Sequence, residues 1–85
     1  MINYSEFFSK YSDIDKVEYI GKIDNIDAFI IYTDKDTDYI KLFNEIDVSL
    51  YNKYKVSANL IMAADEDYKD FIKDFKERKT VYECK

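Results

Sequence analysis

With 85 residues, 47% of them hydrophobic, the chain is one domain, because a chain this short buries only roughly 60 to 65% of its unfolded surface and has no room for two cores. Nine Tyr and six Phe supply buried area, while a single Gly and no Pro leave little room for long loops, so neither a disordered nor a linker-rich chain fits. A net charge of −5, with twelve Lys and only Arg78 as arginine, disfavours direct binding to nucleic acid or anionic membrane and favours a basic partner.

The first element is NYSEFFSKY, where Asn3 and Glu6 have capping-box spacing and Tyr4, Phe7, Phe8 and Tyr11 fall at i, i+3, i+4 and i+7 of a short amphipathic helix. KVEYIGK and DAFIIYT are β-branched and aromatic runs, and the polar turn near Asp24 and Asn25 joins them as two strands. DKDTDYIKLFNEIDVSLYNKY then predicts a helix from about Thr37 to Tyr54, with Tyr39, Phe43, Ile46, Leu50 and Tyr54 on one stripe. KVSANLIMA reads as a third strand, since Val56, Ala58 and Leu60 alternate with Ser57 and Asn59. DEDYKDFIKDFKERK has acids first and bases last, matching a helix dipole, with Tyr68, Phe71, Ile72 and Phe75 at helical spacing. The tail TVYEC fits either a short edge strand or a packed coil. The expected fold is α+β: a single small domain over 1–85, order α-β-β-α-β-α, with a three-stranded mixed sheet packed against helices.

The chain has no His, which removes the commonest general base and transition-metal ligand, and its one cysteine, Cys84, has no imidazole to activate it. A lone cysteine near the end of the chain suits a reducing interior. No apolar run approaches the ~20 residues that cross a bilayer, and MINYSEFF lacks the layout of a signal peptide, so a soluble, cytoplasmic protein is expected.

Two stretches look like Asp-x-Asp metal sites: SDIDKVEYI at 12–20 and DNIDAFIIY at 24–32. In the first, Asp13 and Asp15 alternate, but Ser12 and Asp13 read as the turn that ends the first helix. The second belongs to a wider pattern. KVEYIGK, NIDAFIIY, KVSANLIM and FIKDFKERKTVYE together resemble the minimal nucleotidyltransferase domains found in toxin–antitoxin pairs. That resemblance implies a Gly-Ser strand, an Asp pair and a third carboxylate around Mg²⁺. Here Gly21 matches the Gly, but Lys22 replaces the Ser, Asn25 replaces the first Asp, Asp27 is retained, and Ser57 stands at the third carboxylate.

Asp34, Asp36, Asp38 and Glu45 occupy positions 1, 3, 5 and 12 of an EF-hand loop, but Tyr39 sits where the sharp turn needs Gly. The competing account is helix capping and dipole complementation, which applies equally to Asp65, Glu66 and Asp67 before the last helix.

No catalytic residue, metal or cofactor is assigned. The expected function is a non-catalytic acidic interaction protein that binds and inhibits a basic, nucleic-acid-handling protein, with Asp34, Asp36, Asp38, Tyr39, Asp65, Glu66, Asp67 and Asp70 in contact with the partner. In size and acidity the chain resembles phage-encoded inhibitors such as anti-CRISPR proteins, and equally antitoxins and nuclease immunity proteins. The alternatives are a minimal metal-dependent nucleotidyltransferase using Asp27, and a structural subunit that homodimerises through exposed aromatics.

Overall fold

Asp24 and Asn25 have φ of 54° and 67°, the positive pair that a two-residue type I′ hairpin requires, and they bring Ile23 opposite Ile26. The runs on either side become β1 (Ile14–Ile23) and β2 (Ile26–Thr33), paired antiparallel. In the computed structural model, residues 2–64, 68–73 and 75–84 are described. The remaining elements are α1 (Tyr4–Ser9), α2 (Tyr39–Tyr54), β3 (Asn59–Met62), α3 (Tyr68–Ile72) and β4 (Lys79–Glu83). The sheet order is β3-β2-β1-β4; β3 lies parallel to β2, with α2 as the crossover, and β4 is antiparallel to β1.

Two register shifts shape β1. One, between Ile14 and Lys16, lets Ile14 and Val17 share the same core cluster although they are three residues apart. The other lies between Tyr19 and Gly21, and Gly21 has φ 101°, a conformation that only glycine adopts without strain. One face of the sheet packs Val17, Phe29, Ile31 and Met62 against Phe7 and Phe8 of α1 and Leu42, Ile46 and Leu50 of α2. The other face gathers Ile20, Ala28 and Ile30 with half-buried Tyr32, Ile61, Tyr68 and Phe75. Strand β2 is therefore covered on both sides, which explains why Ala28, Phe29, Ile30 and Ile31 form an unbroken apolar run. Each fully buried Phe or Ile contributes roughly 1.5–3 kcal/mol, more than a typical helix cap at ~1 kcal/mol, so sheet packing dominates.

The three-stranded sheet and the order α-β-β-α-β-α are corrected: the sheet has four strands and the order is α-β-β-α-β-α-β. The acids-first, bases-last pattern suggested one helix through Lys79, but α3 ends at Ile72 and residues 75–78 are irregular. Lys79–Glu83 pairs with β1, and half-buried Val81 and Tyr82 pack on the main core. The physical reason is the other edge of β1: without β4, a ten-residue strand would present an unpaired ladder. The third strand is also shorter than KVSANLIMA, because the parallel register with β2 covers only Asn59 to Met62. Tyr4, Phe7 and Phe8 form the apolar face of α1, capped by Asn3, whose side chain accepts from Glu6 N at 3.1 Å; the helix ends at Ser9, short of Tyr11, which packs on the same core from beyond it.

Candidate interaction surface

Helix α2 is started by the acids that precede it. Asp34 Oδ1 accepts from Asp36 N at 3.2 Å and its carbonyl from Thr37 N at 3.0 Å, folding the loop, and Asp38 caps the helix by accepting from Lys41 N at 3.2 Å. The helix stops at Lys55, in the left-handed region with φ 58°, whose N–H reaches Tyr51 O at 2.8 Å. Between these ends Leu42, Ile46 and Leu50 are buried, with Tyr39 and Tyr54 packed at the margins.

The opposite side of α2 is mixed, with exposed Lys41, Asn44, Glu45 and Asn52 interspersed among large apolar side chains. Ile40 is 62% exposed, Phe43 36%, Val48 57% and Tyr51 56%. At 100° per residue Ile40 and Tyr51 lie about 20° apart on the outer side, with half-buried Asp47 near their line and Val48 to one side, over about 16 Å of helix. Phe43, about 20° from buried Leu50, is the partly exposed margin of the inner stripe on which sequence spacing placed it, and Leu42 is buried on that stripe in addition. The outer set was missed because Ile40, Val48 and Tyr51 are spread among polar residues. Its signal was a second apolar set at i, i+8 and i+11 on a helix that already had one.

Charge on this surface is mixed, with exposed Lys35 and Lys41 among the acids at the helix start. Asp34, Asp36 and Asp38 are all exposed at the helix start, while Lys53 and Lys55 lie at its end, in the sense that complements the helix dipole. Lys10 of the α1 end and Lys53 share a cleft of about 390 Å³ between the helices, and the neighbouring ammonium holds the Lys10 pKa below its usual value. Tyr39, expected at the partner surface, is half-buried against the core instead. Asp65, Glu66 and Asp67 lie outside the described residues. Asp70 is exposed on α3, whose Tyr68 packs on the sheet face opposite α2, so it stands in a different layer from Asp34 to Asp38.

The remaining motif residues are dispersed. Ser12 and Asp13 form the turn into β1, with Ile14 N bonded to Tyr11 O at 3.1 Å, and Asp15 is exposed at the first register shift. Residues 39–45 of the EF-like spacing are helical, which carries Glu45 about 10 Å along the axis from Asp38. Asn25 sits in the hairpin turn and Ser57 is exposed ahead of β3. Among the described residues no three or more His, Cys, Asp or Glu side chains converge as a metal site.

Two carboxylates are held inside the fold. Asp27 accepts from Tyr19 Oη at 2.9 Å and from Tyr4 Oη at 3.3 Å, at the floor of a cleft of about 600 Å³ between α1 and β4. Burial, and then Asp27, push the Tyr4 phenol up to about 12, and the hydrogen bond to Asp27 raises that of Tyr19. On the other face Tyr32 donates to buried Glu18, with Lys16 and Arg78 at 3.6 and 4.0 Å. No helix among the described residues is long and apolar enough to cross a membrane.

In comparisons with known proteins, no family model, no curated protein and no solved structure matches this chain.

Proposed function

We propose that the chain is a non-catalytic acidic interaction protein whose docking face is the outer side of α2, and that it binds and inhibits a basic, nucleic-acid-handling protein. The observation that carries this reading is the exposed set Ile40, Val48 and Tyr51, with partly exposed Phe43 at its flank, next to exposed Asp34, Asp36 and Asp38. Leaving large apolar side chains in water costs about 25 cal/mol per Å², and contiguous patches of them mark contact surfaces. An amphipathic helix presenting anchors at i, i+8 and i+11 suits an apolar groove on a partner. The flanking acids and the −5 net charge suit a basic rim on that groove. Carboxylates seated where a nucleic-acid-binding protein receives phosphates would exclude its normal ligand, and the charge difference would speed association at low salt.

The test captures partners from the native host with the wild-type chain, and repeats the capture with Ile40→Asp/Tyr51→Asp and with Asp36→Lys. Asp38 is changed only to Asn, because reversing its charge would also remove the helix cap. The expected result is one basic protein retained by wild type, lost with both variants, and unable to bind its nucleic acid when the wild-type chain is added. A captured protein held equally by both variants overturns the docking face. A stable dimer of the chain itself through α2, seen by light scattering, overturns the choice of occupant. Metal-dependent nucleotide transfer abolished by Asp27→Ala overturns the non-catalytic reading.

A further inference from the structure

We propose that the cleft between α1 and β4 is a binding site for one alkylammonium or guanidinium group, seated on Asp27. The cleft, about 600 Å³, is lined by Ile2, Tyr4, Tyr19, Asp27, Phe29 and Lys79, among others. Both phenolic protons near Asp27 are used on its carboxylate, one on each oxygen, at 2.9 Å from Tyr19 and 3.3 Å from Tyr4. At Asp27 itself what remains is acceptor capacity, the free lone pairs of the carboxylate and of two phenolic oxygens, while the donor-bearing side chains Asn3, Lys79 and Thr80 also line the cleft. A group that satisfies the acceptors at Asp27 must bring N–H donors. Ammonium and guanidinium groups do so, and their charge is attracted by the Asp27 carboxylate, which repels a phosphate or carboxylate placed on it.

The charge of Asp27 is open to such a ligand. No ammonium or guanidinium among the described residues lies within ion-pair distance of Asp27, although Lys22 stands directly opposite it in the β1–β2 register. The walls suit an organic cation rather than a bare metal ion. Tyr4 and Tyr19 each pack on fully buried Phe29, with ring centroids 4.6 and 5.4 Å apart, which holds the two phenol rings beside Asp27 for contact with an alkyl stem or a cation. Phenols are protonated at neutral pH, so both hydroxyls remain donors to Asp27 there. Lys79 lines the rim and is the internal competitor, a cation tethered on β4 opposite Tyr19.

The site stands on its own geometry and does not depend on the docking face of α2. Its cation has two sources, a free amine or a basic side chain on a protein, and the probes separate them. The backbone amide NMR spectrum of the full chain is titrated with agmatine, with N-acetyl-arginine methylamide, with butylammonium, and with butanol as the neutral counterpart. The expected result is saturable shifts at Tyr19, Asp27 and Lys79 from the cations and none from butanol. Asp27→Asn weakens binding at least about tenfold, as loss of a charged hydrogen-bond partner does, and Lys79→Ala strengthens it. Tighter binding of agmatine than of the blocked arginine assigns a free amine, and the reverse order assigns a protein side chain. Absence of saturable shifts from every cation, or equal shifts from butanol, overturns the proposal and leaves Asp27 as an internal tether for α1. The butanol comparison uses the wild-type chain, so it holds even where Asp27→Asn fails to fold.

Discussion

Tyr32 donates its hydroxyl to a Glu18 carboxylate oxygen at 2.5 Å, crossing the hairpin diagonally, since Glu18 stands directly opposite Ile30. Glu18 is the one charged side chain buried among the described residues, and Lys16 and Arg78 approach it only to 3.6 and 4.0 Å from half-exposed positions. Tyr32 is thus its closest partner. Tyr32→Phe should destabilise the fold by about 1–3 kcal/mol, because the carboxylate stays buried while its donor is lost. Adding Glu18→Leu to that variant should recover part of the loss, since removing both polar partners is cheaper than removing one. Urea denaturation of the four members of this cycle reads the coupling, and additive single effects would mean that Lys16 and Arg78 hold Glu18 instead.

Alkaline solution should weaken the fold in a defined window. The Tyr4 and Tyr32 phenols are both raised from 10.0 to about 12, each mainly by burial and then by the carboxylate it faces. A group whose folded pKa is raised stabilises fully below its unfolded pKa, and that stability is lost as the pH rises through the folded value. The unfolding midpoint should therefore hold up to pH 10 and fall between 10 and about 12, with late phenolate absorbance from tyrosines that include Tyr4, Tyr32 and Tyr19. Tyr4→Phe and Tyr32→Phe should each flatten part of the fall, and a midpoint unchanged across the window would contradict the burial of both hydroxyls.

Backbone conformation gives two substitutions opposite signs. Gly21 has φ 101°, and a Cβ added there would meet no atom within 4 Å, so Gly21→Ala should cost about 1–2 kcal/mol from backbone strain rather than from a clash. Lys55, at φ 58° in the C-cap of α2, holds the same sign of φ with a side chain. Lys55→Gly should gain up to about 1 kcal/mol, partly offset by losing its contact with the exposed Tyr51 ring at 5.6 Å. Thermal melts compare the two, and equal signs would refute the conformational account.

The two sides of α2 should differ sharply on truncation. Ile46→Ala and Leu50→Ala, at fully buried positions, should each cost about 2–5 kcal/mol. Ile40→Ala and Tyr51→Ala should stay within about 0.5 kcal/mol, as exposed positions do. A large cost at Tyr51 would mean that the outer set is packed within the fold and is closed to a partner.

Ending the chain before Lys79 should uncover β1. The truncated protein loses the β4 ladder and the bond from Cys84 N to Asp15 O at 2.8 Å, and β1 becomes an open edge carrying Val17 and Tyr19. Size-exclusion chromatography should find self-association or loss of cooperative unfolding, the behaviour of an unprotected edge. A truncated chain that stays monomeric and equally stable would show that β4 contributes little.

Much of the architecture was legible in the order of residues. The 3.6-residue spacing of Tyr4, Phe7 and Phe8, the polar turn at Asp24 and Asn25, and the acids ahead of α2 each act through near neighbours, and each formed as its local chemistry dictates. Strand β4 was legible only as one of two options for TVYEC, a short edge strand or a packed coil, because only Val81 and Tyr82 of its five residues are even half-buried. Its place follows from the unpaired edge of β1, which lies more than 50 residues back in sequence, and no local pattern encodes that need. The same reason hid the tether of Tyr4 to Asp27, 23 residues apart.

Near-neighbour chemistry was enough to specify the first helix, the hairpin, the long helix and its acidic cap, because periodicity, turn residues and capping work over a few positions. Packing across space selected which side of α2 is buried, and so left Ile40, Val48 and Tyr51 facing outward. It also set Asp27 against two phenols rather than a second carboxylate. Both outcomes depend on what the sheet offers: a helix can bury only the side that fits Phe29, Ile31 and Met62, and a carboxylate takes its partners from whichever side chains the packing brings within hydrogen-bond reach.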